Sequence, residues 1–275
     1  MFKLLQTFQT AYETRNFSHT AEELFMSQPA VSNQIKQLEL QLNCVLFKRM
    51  GKSEMRPTKA AEILYERLLD LSDDWQDTLK LMQEQETKQV TCRMSASNTF
   101  ASYYLPALMP DLLAAFPTVQ FELSMGNSEE VLDSIKRHEI HLGFIEKPLQ
   151  TQGIERVPLL SDELVLAGNL ESSRWLIREK ESGVYHYTLR YLTENNINPN
   201  YILVKNNDMI IGLLKQGIGK SIVSKKAIPP ELSYRHINSD YQRLFYLIKG
   251  SHLMDETYEE IKNYIENYYK RIERY

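Results

Sequence analysis

Gln28, Pro29, Ser32, Asn33 and Lys36 fall within nine residues and are of the types that read base edges in duplex DNA. Amides pair with adenine edges, an ammonium suits guanine or a phosphate, and the apolar surfaces of Pro29 and Ala30 fit thymine methyl groups. Their placement matters as much as their type. Val31, Ile35, Leu38 and Leu42 recur at i, i+4, i+7 and i+11, the spacing of one buried helix face. Pro29, Ser32, Asn33 and Lys36 then share the opposite face, with Gln28 near the helix start. Ser27 is a good N-cap, and Pro29 in the first turn lacks an N–H that the helix has no use for. A preceding helix, roughly His19 to Met26, is expected to bury Ala21, Leu24 and Phe25. Two short helices with a sharp junction form a helix-turn-helix, whose second helix enters the major groove by its N-terminal end.

The flanking segments fit the same chemistry. A first helix, about Phe2 to Glu13, turns Leu4, Leu5, Phe8, Ala11 and Tyr12 inward. After the two helices, Val45-Leu46-Phe47 is a β-leaning run, Lys48 to Ser53 a basic turn, and Glu54-Met55-Arg56-Pro57 the return. That is a two-stranded wing held by Phe47 and Met55, with Arg49, Lys52 and Arg56 as phosphate contacts. The whole chain of 275 residues carries −4, but residues 1–59 hold eight Lys/Arg against five acids, or +3, leaving −7 for the other 216. A basic head is what contact with phosphates requires, since that attraction fades beyond a Debye length of about 8 Å.

Thr58 caps a long helix running to about Thr87. Ala61, Leu64, Leu68, Leu71, Trp75, Thr78 and Met82 step by 3 and 4 along it, one apolar seam on a rod of roughly 45 Å. Such a seam needs a partner. A twin helix in a dimer would present two recognition helices to a two-fold site; packing on the chain's own C-terminal domain is the alternative.

Beyond a polar hinge at Gln85–Gln89 the pattern changes, and a second kind of chemistry becomes possible. Ser97-Asn98-Thr99, Asn127-Ser128 and Asn206-Asn207 each follow a short apolar run and open a helix. Hydroxyls, amides and free helix N–H groups suit a small anion such as a carboxylate or sulfate. Glu146 ends another run and suits an amine, which would fit an amino-acid-like ligand. Plain N-capping explains each cluster singly. The elements that position them alternate: strands at 91–96, 119–125 and 141–145, with helices near 101–116 and 128–138, predict a parallel βαβαβ sheet. A second unit has strands at 163–167, 173–177, 201–204 and 221–223 and helices near 184–195 and 209–216. A strand at 243–248 and a helix at 255–274, with Tyr258, Ile261, Tyr264, Ile265 and Tyr268 inward, complete the chain. Two α/β lobes with crossings near Leu160 and Gly250 predict a cleft between them, and ligands of open α/β sheets sit at such strand ends.

At this point the sequence resembles the LysR-type transcriptional regulators. FSHTAEELFMSQPAVSNQIKQLE, then LFKR and RPT, carry the resemblance densely over residues 2–66. YYLPALMPDLLAAFPTVQFEL, GNSEEVLDSIKRHEIHLGFIE, IREKESG and LLKQGIGKSIV extend it more thinly. Asn43 and Ala61 replace glycines usual in the family, Asn33 replaces a common Arg, and the segment after Gly168 is shorter than usual. The resemblance implies a dimerising linker helix, a tetramer, and effector contacts from the Ser/Thr positions at the first two strand ends.

The expected fold is therefore α/β overall: a winged helix-turn-helix at 1–58, a linker helix and hinge at 59–89, and a bilobal, periplasmic-binding-protein-like effector domain at 90–275. Lobe I is expected at about 90–161 and 250–275, lobe II at about 162–249. The expected partners are promoter DNA with a dyad site, a small-molecule effector and further copies of the chain. An α/β enzyme fused to a DNA-targeting head, or a DNA-binding protein with an empty cleft, are the alternatives. No catalytic site or cofactor is expected. Gly219-Lys220-Ser221 and Gly51-Lys52-Ser53 echo a P-loop but have Leu214 and Leu46 where its first glycine belongs. Six scattered histidines show no metal-ligand spacing, and no nucleophile motif occurs. Cys44 and Cys92 lack CxxC spacing and read as buried thiols in a reduced compartment. Charges interrupt every apolar run short of the roughly 18 residues that span a membrane, so a cytoplasmic location is expected.

Overall fold

The computed structural model describes residues 1–50, 54–82, 90–147, 153–250, 253 and 256–272, less the side chains of residues 49, 50, 54, 74, 76, 77 and 80–82. It divides into two compact units, Met1–Glu86 and Thr87–Tyr275.

The first unit is built from helices α1 (Phe2–Thr14), α2 (Phe17–Glu23) and α3 (Gln28–Leu42), strands β1 (Phe47–Met50) and β2 (Glu54–Pro57), and helix α4 (Lys59–Met82). Local chemistry sets the helix ends. Asn16 Oδ1 accepts the Ser18 and His19 N–H groups to start α2, and Ser27 Oγ accepts the Ala30 N–H at 3.4 Å to start α3. Asn43, at φ 51°, closes α3 in the left-handed conformation that asparagine tolerates better than most residues. Phe8, Ala11, Val31, Ile35, Leu38, Leu46, Phe47, Met55 and Ala61 form one buried core. Fully burying a side chain of the size of Ile35 or Leu38 contributes about 1.5–3 kcal/mol.

Two expectations fail here, for different reasons. Leu42 is 40% exposed, because α3 runs past the edge of the core before it ends. Phe25 is 98% exposed: α2 stops at Glu23, and Phe25 takes φ 52° as the turn residue. Its N–H bonds to Glu22 O and that of Met26 to Ala21 O, the paired closure that normally selects glycine. In α4 the expected seam splits. Ala61 is fully buried in the protomer's own core with Tyr65 and Leu69, Leu64 and Leu68 pack partly against that core, and Leu71 and Trp75 are 61% and 60% exposed. Ala61 is thus unavailable to a partner. Thr78 is exposed, whereas the side chain of Met82, the rest of that helix and the Gln85–Gln89 hinge lie outside the described residues.

The second unit has a nine-stranded sheet in the order β4-β3-β5-β11-β6-β9-β7-β8, with β10 beside β6. The strands are β3 (Val90–Ser97), β4 (Val119–Gly126), β5 (Leu142–Ile145), β6 (Ile154–Gly168), β7 (Arg174–Arg178), β8 (Asn200–Val204), β9 (Lys220–Ser224), β10 (Tyr234–His236) and β11 (Gln242–Gly250). The first three pair in parallel as predicted, and so do β7 and β8. The sheet as a whole is mixed, because β6 and β11 run antiparallel to their neighbours. β6 starts at Ile154 rather than Glu163 and passes through both lobes. Its first half pairs with β11 in lobe I, and its second half with β9 and β10 in lobe II. Because Tyr246–Lys249 of β11 also pair with β5, that strand belongs to lobe I. The second crossing therefore falls just before Gln242, not at Gly250.

Helices cover both faces. In lobe I, α5 (Asn98–Tyr103), α6 (Leu105–Ala115) and α10 (Glu256–Ile272) pack on one side and α7 (Ser128–Lys136) on the other. The single helix predicted near 101–116 is two, broken at Tyr104. Tyr258, Ile261, Ile265 and Tyr269 are the buried apolar positions of α10, with Tyr264 and Tyr268 only partly covered. In lobe II, α8 (Gly183–Glu194) and α9 (Asn207–Lys215) lie over separate core clusters. Cys92 is buried and its thiol is pushed up to about 12 by burial, whereas Cys44 is half-buried. No helix among the described residues is long and apolar enough to cross a membrane.

Candidate functional sites

The N-terminal half of α3 presents Gln28, Pro29, Asn33 and Lys36 to solvent, with Ala30 and Ser32 half-buried at the flank and Ser27 exposed at the cap. Two contacts hold that face rigid from behind. The Thr7 hydroxyl of α1 donates to Gln34 Oε1 at 2.5 Å, and Glu39 Oε1 accepts the Leu46 and Phe47 N–H groups at 2.7 and 3.2 Å. Glu39 thereby fixes the wing to the recognition helix. In the wing, Arg56 stands directly opposite Lys48, and both are exposed. Like charges opposite one another across two strands repel, and a polyanion laid over them relieves the repulsion. Lys48 was missed by sequence reasoning, although its alternation with buried Phe47 was available. Lys52 and the side chain of Arg49 lie outside the described residues.

In the second unit the predicted clusters meet between the lobes, but not all in the expected role. Asn207 of lobe II donates its backbone N–H to Asn98 Oδ1 at 3.2 Å and its amide to Thr99 Oγ1 at 2.9 Å. Ser128 Oγ donates to Glu146 Oε2 at 3.2 Å. Ser97 is fully buried, and among the described residues its Oγ is a buried side-chain oxygen with no hydrogen-bond partner. Asn127 and Asn206 instead spend their side chains as N-caps. Asn127 Oδ1 takes the Glu129 and Glu130 N–H groups within a capping box, and Asn206 Oδ1 takes that of Met209.

The centre of this network is charged, and its principal members were not foreseen. Arg243 donates to Asp162 Oδ2 at 2.8 Å, to Thr99 Oγ1 at 2.9 Å and to Glu146 Oε1 at 3.4 Å. Asp162 also accepts from Tyr104 at 2.9 Å and from Ser224 at 2.5 Å. Burial works against the Arg243 charge, but Asp162 and Glu146 more than offset it, so its pKa is raised and it stays cationic. Burial and the neighbouring Asp162 likewise raise the Tyr104 phenol, keeping it a donor. From lobe II, Arg178 donates to Asn207 Oδ1 and holds both carboxylate oxygens of Glu179 at 2.8 Å. Burial pushes the Glu179 carboxyl up, yet the Arg178 contacts leave it below the usual value. At the rim, Tyr103 donates to Asp208 at 2.8 Å. The lobes approach so closely that a Cβ on Gly183 would collide with the Glu146 side chain.

This arrangement can hold a small polar molecule only by exchanging bonds the protein now makes with itself. Among the described residues, no three His, Cys, Asp or Glu side chains gather as a metal ion would require. A cavity of about 530 Å³ between α8 and β8, lined by Tyr185, Leu189, Ile197, Tyr201 and Leu203, shares none of these polar groups.

Two family models match the chain: the bacterial regulatory helix-turn-helix protein of the lysR family over residues 2–62, and the LysR substrate binding domain over residues 85–248. An uncharacterised helix-turn-helix transcriptional regulator encoded in the lacR 5′ region of Staphylococcus xylosus is 31% identical over 245 residues. The match covers 86% of this chain and 90% of that protein. A full-length OxyR variant from Pseudomonas aeruginosa shares the fold with a TM-score of 0.63 at 17% identity, covering 97% of each chain. The effector-binding domain of QuiR, solved in complex with shikimate, does so with a TM-score of 0.59 at 18% identity, covering 67% of this chain and 99% of that one.

Proposed function

The chain belongs to the LysR family of DNA-binding transcriptional regulators with a small-molecule effector domain, and on that premise we propose how its own residues carry each task. Ser27, Gln28, Pro29, Ala30, Ser32, Asn33 and Lys36 read bases from the major groove, while Lys48, Arg49, Lys52 and Arg56 of the wing engage phosphates. The observation that carries this reading is the exposed polar face of α3, braced from behind by Thr7 and Glu39. Residues 1–58 form the DNA-binding head, 59–89 the linker and 90–275 the effector domain. Leu71 and Trp75, with the outer edges of Leu64 and Leu68, pair two protomers on a dyad site, and dimers assemble into a tetramer. The effector, an anionic or amino-acid-like molecule, binds between the lobes among Ser97, Asn98, Thr99, Ser128, Glu146 and Asn207, with Asn127 and Asn206 shaping the helix starts. It regulates by favouring one lobe arrangement over another. The protein acts in the cytoplasm and is not an enzyme; turnover of a cleft ligand would contradict the latter.

The test is a salt-titrated binding measurement of the full-length protein on the DNA upstream of its own gene against a scrambled duplex. Preference for the upstream DNA that persists as salt rises supports the reading. Equal, salt-abolished binding to both contradicts it.

A further inference from the structure

Arg178 ends β7, at the carboxyl edge of the sheet where open α/β folds receive ligands. Its side chain is 4% exposed, yet the carboxylate that neutralises it belongs to the next residue, Glu179, which is 16% exposed. The geometry is a two-pronged one, Nε and an Nη each 2.8 Å from a carboxylate oxygen. That fork suits any planar carboxylate or compact oxyanion equally well. The other two acids of the network are placed differently. Asp162 is enclosed and accepts three donors, and Glu146 is committed to Arg243 and Ser128. Of the three, Glu179 is the most exposed, at 16% against 6% for Glu146 and 0% for Asp162, and so the one that can turn into water.

We infer that Glu179 is an internal substitute for the ligand: a small molecule bearing a carboxylate or similar oxyanion docks on the Arg178 guanidinium, and Glu179 swings out to solvent. The exchange trades one anion for another, so the buried guanidinium is never left bare. An amine-bearing end gains nothing from Glu146, whose oxygens already face Arg243 and Ser128. This narrows the effector to an acid rather than an amino-acid-like zwitterion. The displaced pair is wired to the lobes, because Arg178 also holds Asn207, whose N–H and amide reach Asn98 and Thr99 across the cleft. The Ser97 hydroxyl, next in the chain to Asn98 at the end of β3, has no hydrogen-bond partner among the described residues and is an unused donor there. The inference rests on the regulator reading for its assumption that the cleft takes an effector.

Sulfate, phosphate and acetate, titrated into the full-length protein at constant ionic strength against a chloride control, are the probes, with thermal stabilisation as the readout. Glu179→Gln removes the internal competitor and should tighten oxyanion binding by about tenfold or more, the scale of one charge-assisted hydrogen bond. Arg178→Lys keeps the charge but loses the fork and should weaken it by a similar factor. A merely structural ion pair predicts no gain in E179Q, and that result overturns the inference even where the Arg178 variant folds poorly. Binding to the upstream duplex is measured on the same samples. Sequence-specific DNA binding without any oxyanion response overturns this inference alone, whereas loss of both overturns the regulator reading beneath it.

Discussion

The face of α3 and the network between the lobes use the same residue types in opposite ways. On α3, the side chains of Gln28, Asn33 and Lys36 stand in water with no hydrogen bond among the described residues, while the bracing is done from behind by Thr7, Gln34 and Glu39. Between the lobes, Asn207, Thr99, Arg243 and Asp162 are buried and bonded to one another. An open site recognises a partner by offering unused donors and acceptors, and it is altered at little structural cost. A closed site must exchange existing bonds, so its residues carry stability and recognition together.

That contrast yields graded expectations. Arg243→Ala should have the largest effect, leaving Asp162 and Glu146 as uncompensated buried charges at a cost of about 3–5 kcal/mol, seen as a large fall in melting temperature. Gln28→Ala and Asn33→Ala should each weaken binding to the preferred duplex by about 1–3 kcal/mol where the amide makes a paired base contact, with melting unchanged. If either lowers the melting temperature instead, α3 is not the open site described. Lys48→Gln or Arg56→Gln should reduce the log–log salt slope of DNA binding by about 0.9 for each phosphate no longer neutralised, on any sequence. Phe25→Asn should stabilise the protein by about 1 kcal/mol, because asparagine accepts the left-handed turn at lower cost and no packing is given up. The smallest effect concerns pH. The Glu179 carboxyl is held below its ordinary value in the folded state, so its contribution is complete above about pH 4.3 and is lost as pH falls through the folded-state value. Glu179→Gln should flatten that acid limb in a stability–pH profile.

The same contrast explains what was legible in the sequence. The α3 site is local: cap, stripe and polar face lie within sixteen residues, and helical periodicity alone assembles them. Even there the pattern overreached at Leu42, where the helix outruns its core, and at Phe25, where a phenylalanine occupies a turn that usually signals itself with glycine. The interlobe site is non-local. Arg243 opens one predicted strand and Asp162 falls just outside another, and only the register of β11 on β6 sets them opposite each other. Pairing with β5 moves β11 into lobe I, a fact no run of apolar residues reveals. Asn127 and Asn206 were readable as N-caps, the plain alternative to a ligand role, and capping is the use the structure makes of their side-chain oxygens.

The most direct measurement is the affinity of the Gln28→Ala, Asn33→Ala double variant for the upstream duplex and its scrambled counterpart, with melting recorded alongside. The account predicts wild-type melting, loss of the preference between the two duplexes, and retention of weak, salt-sensitive binding through the wing. An undiminished preference in a variant that melts like the wild type would contradict it.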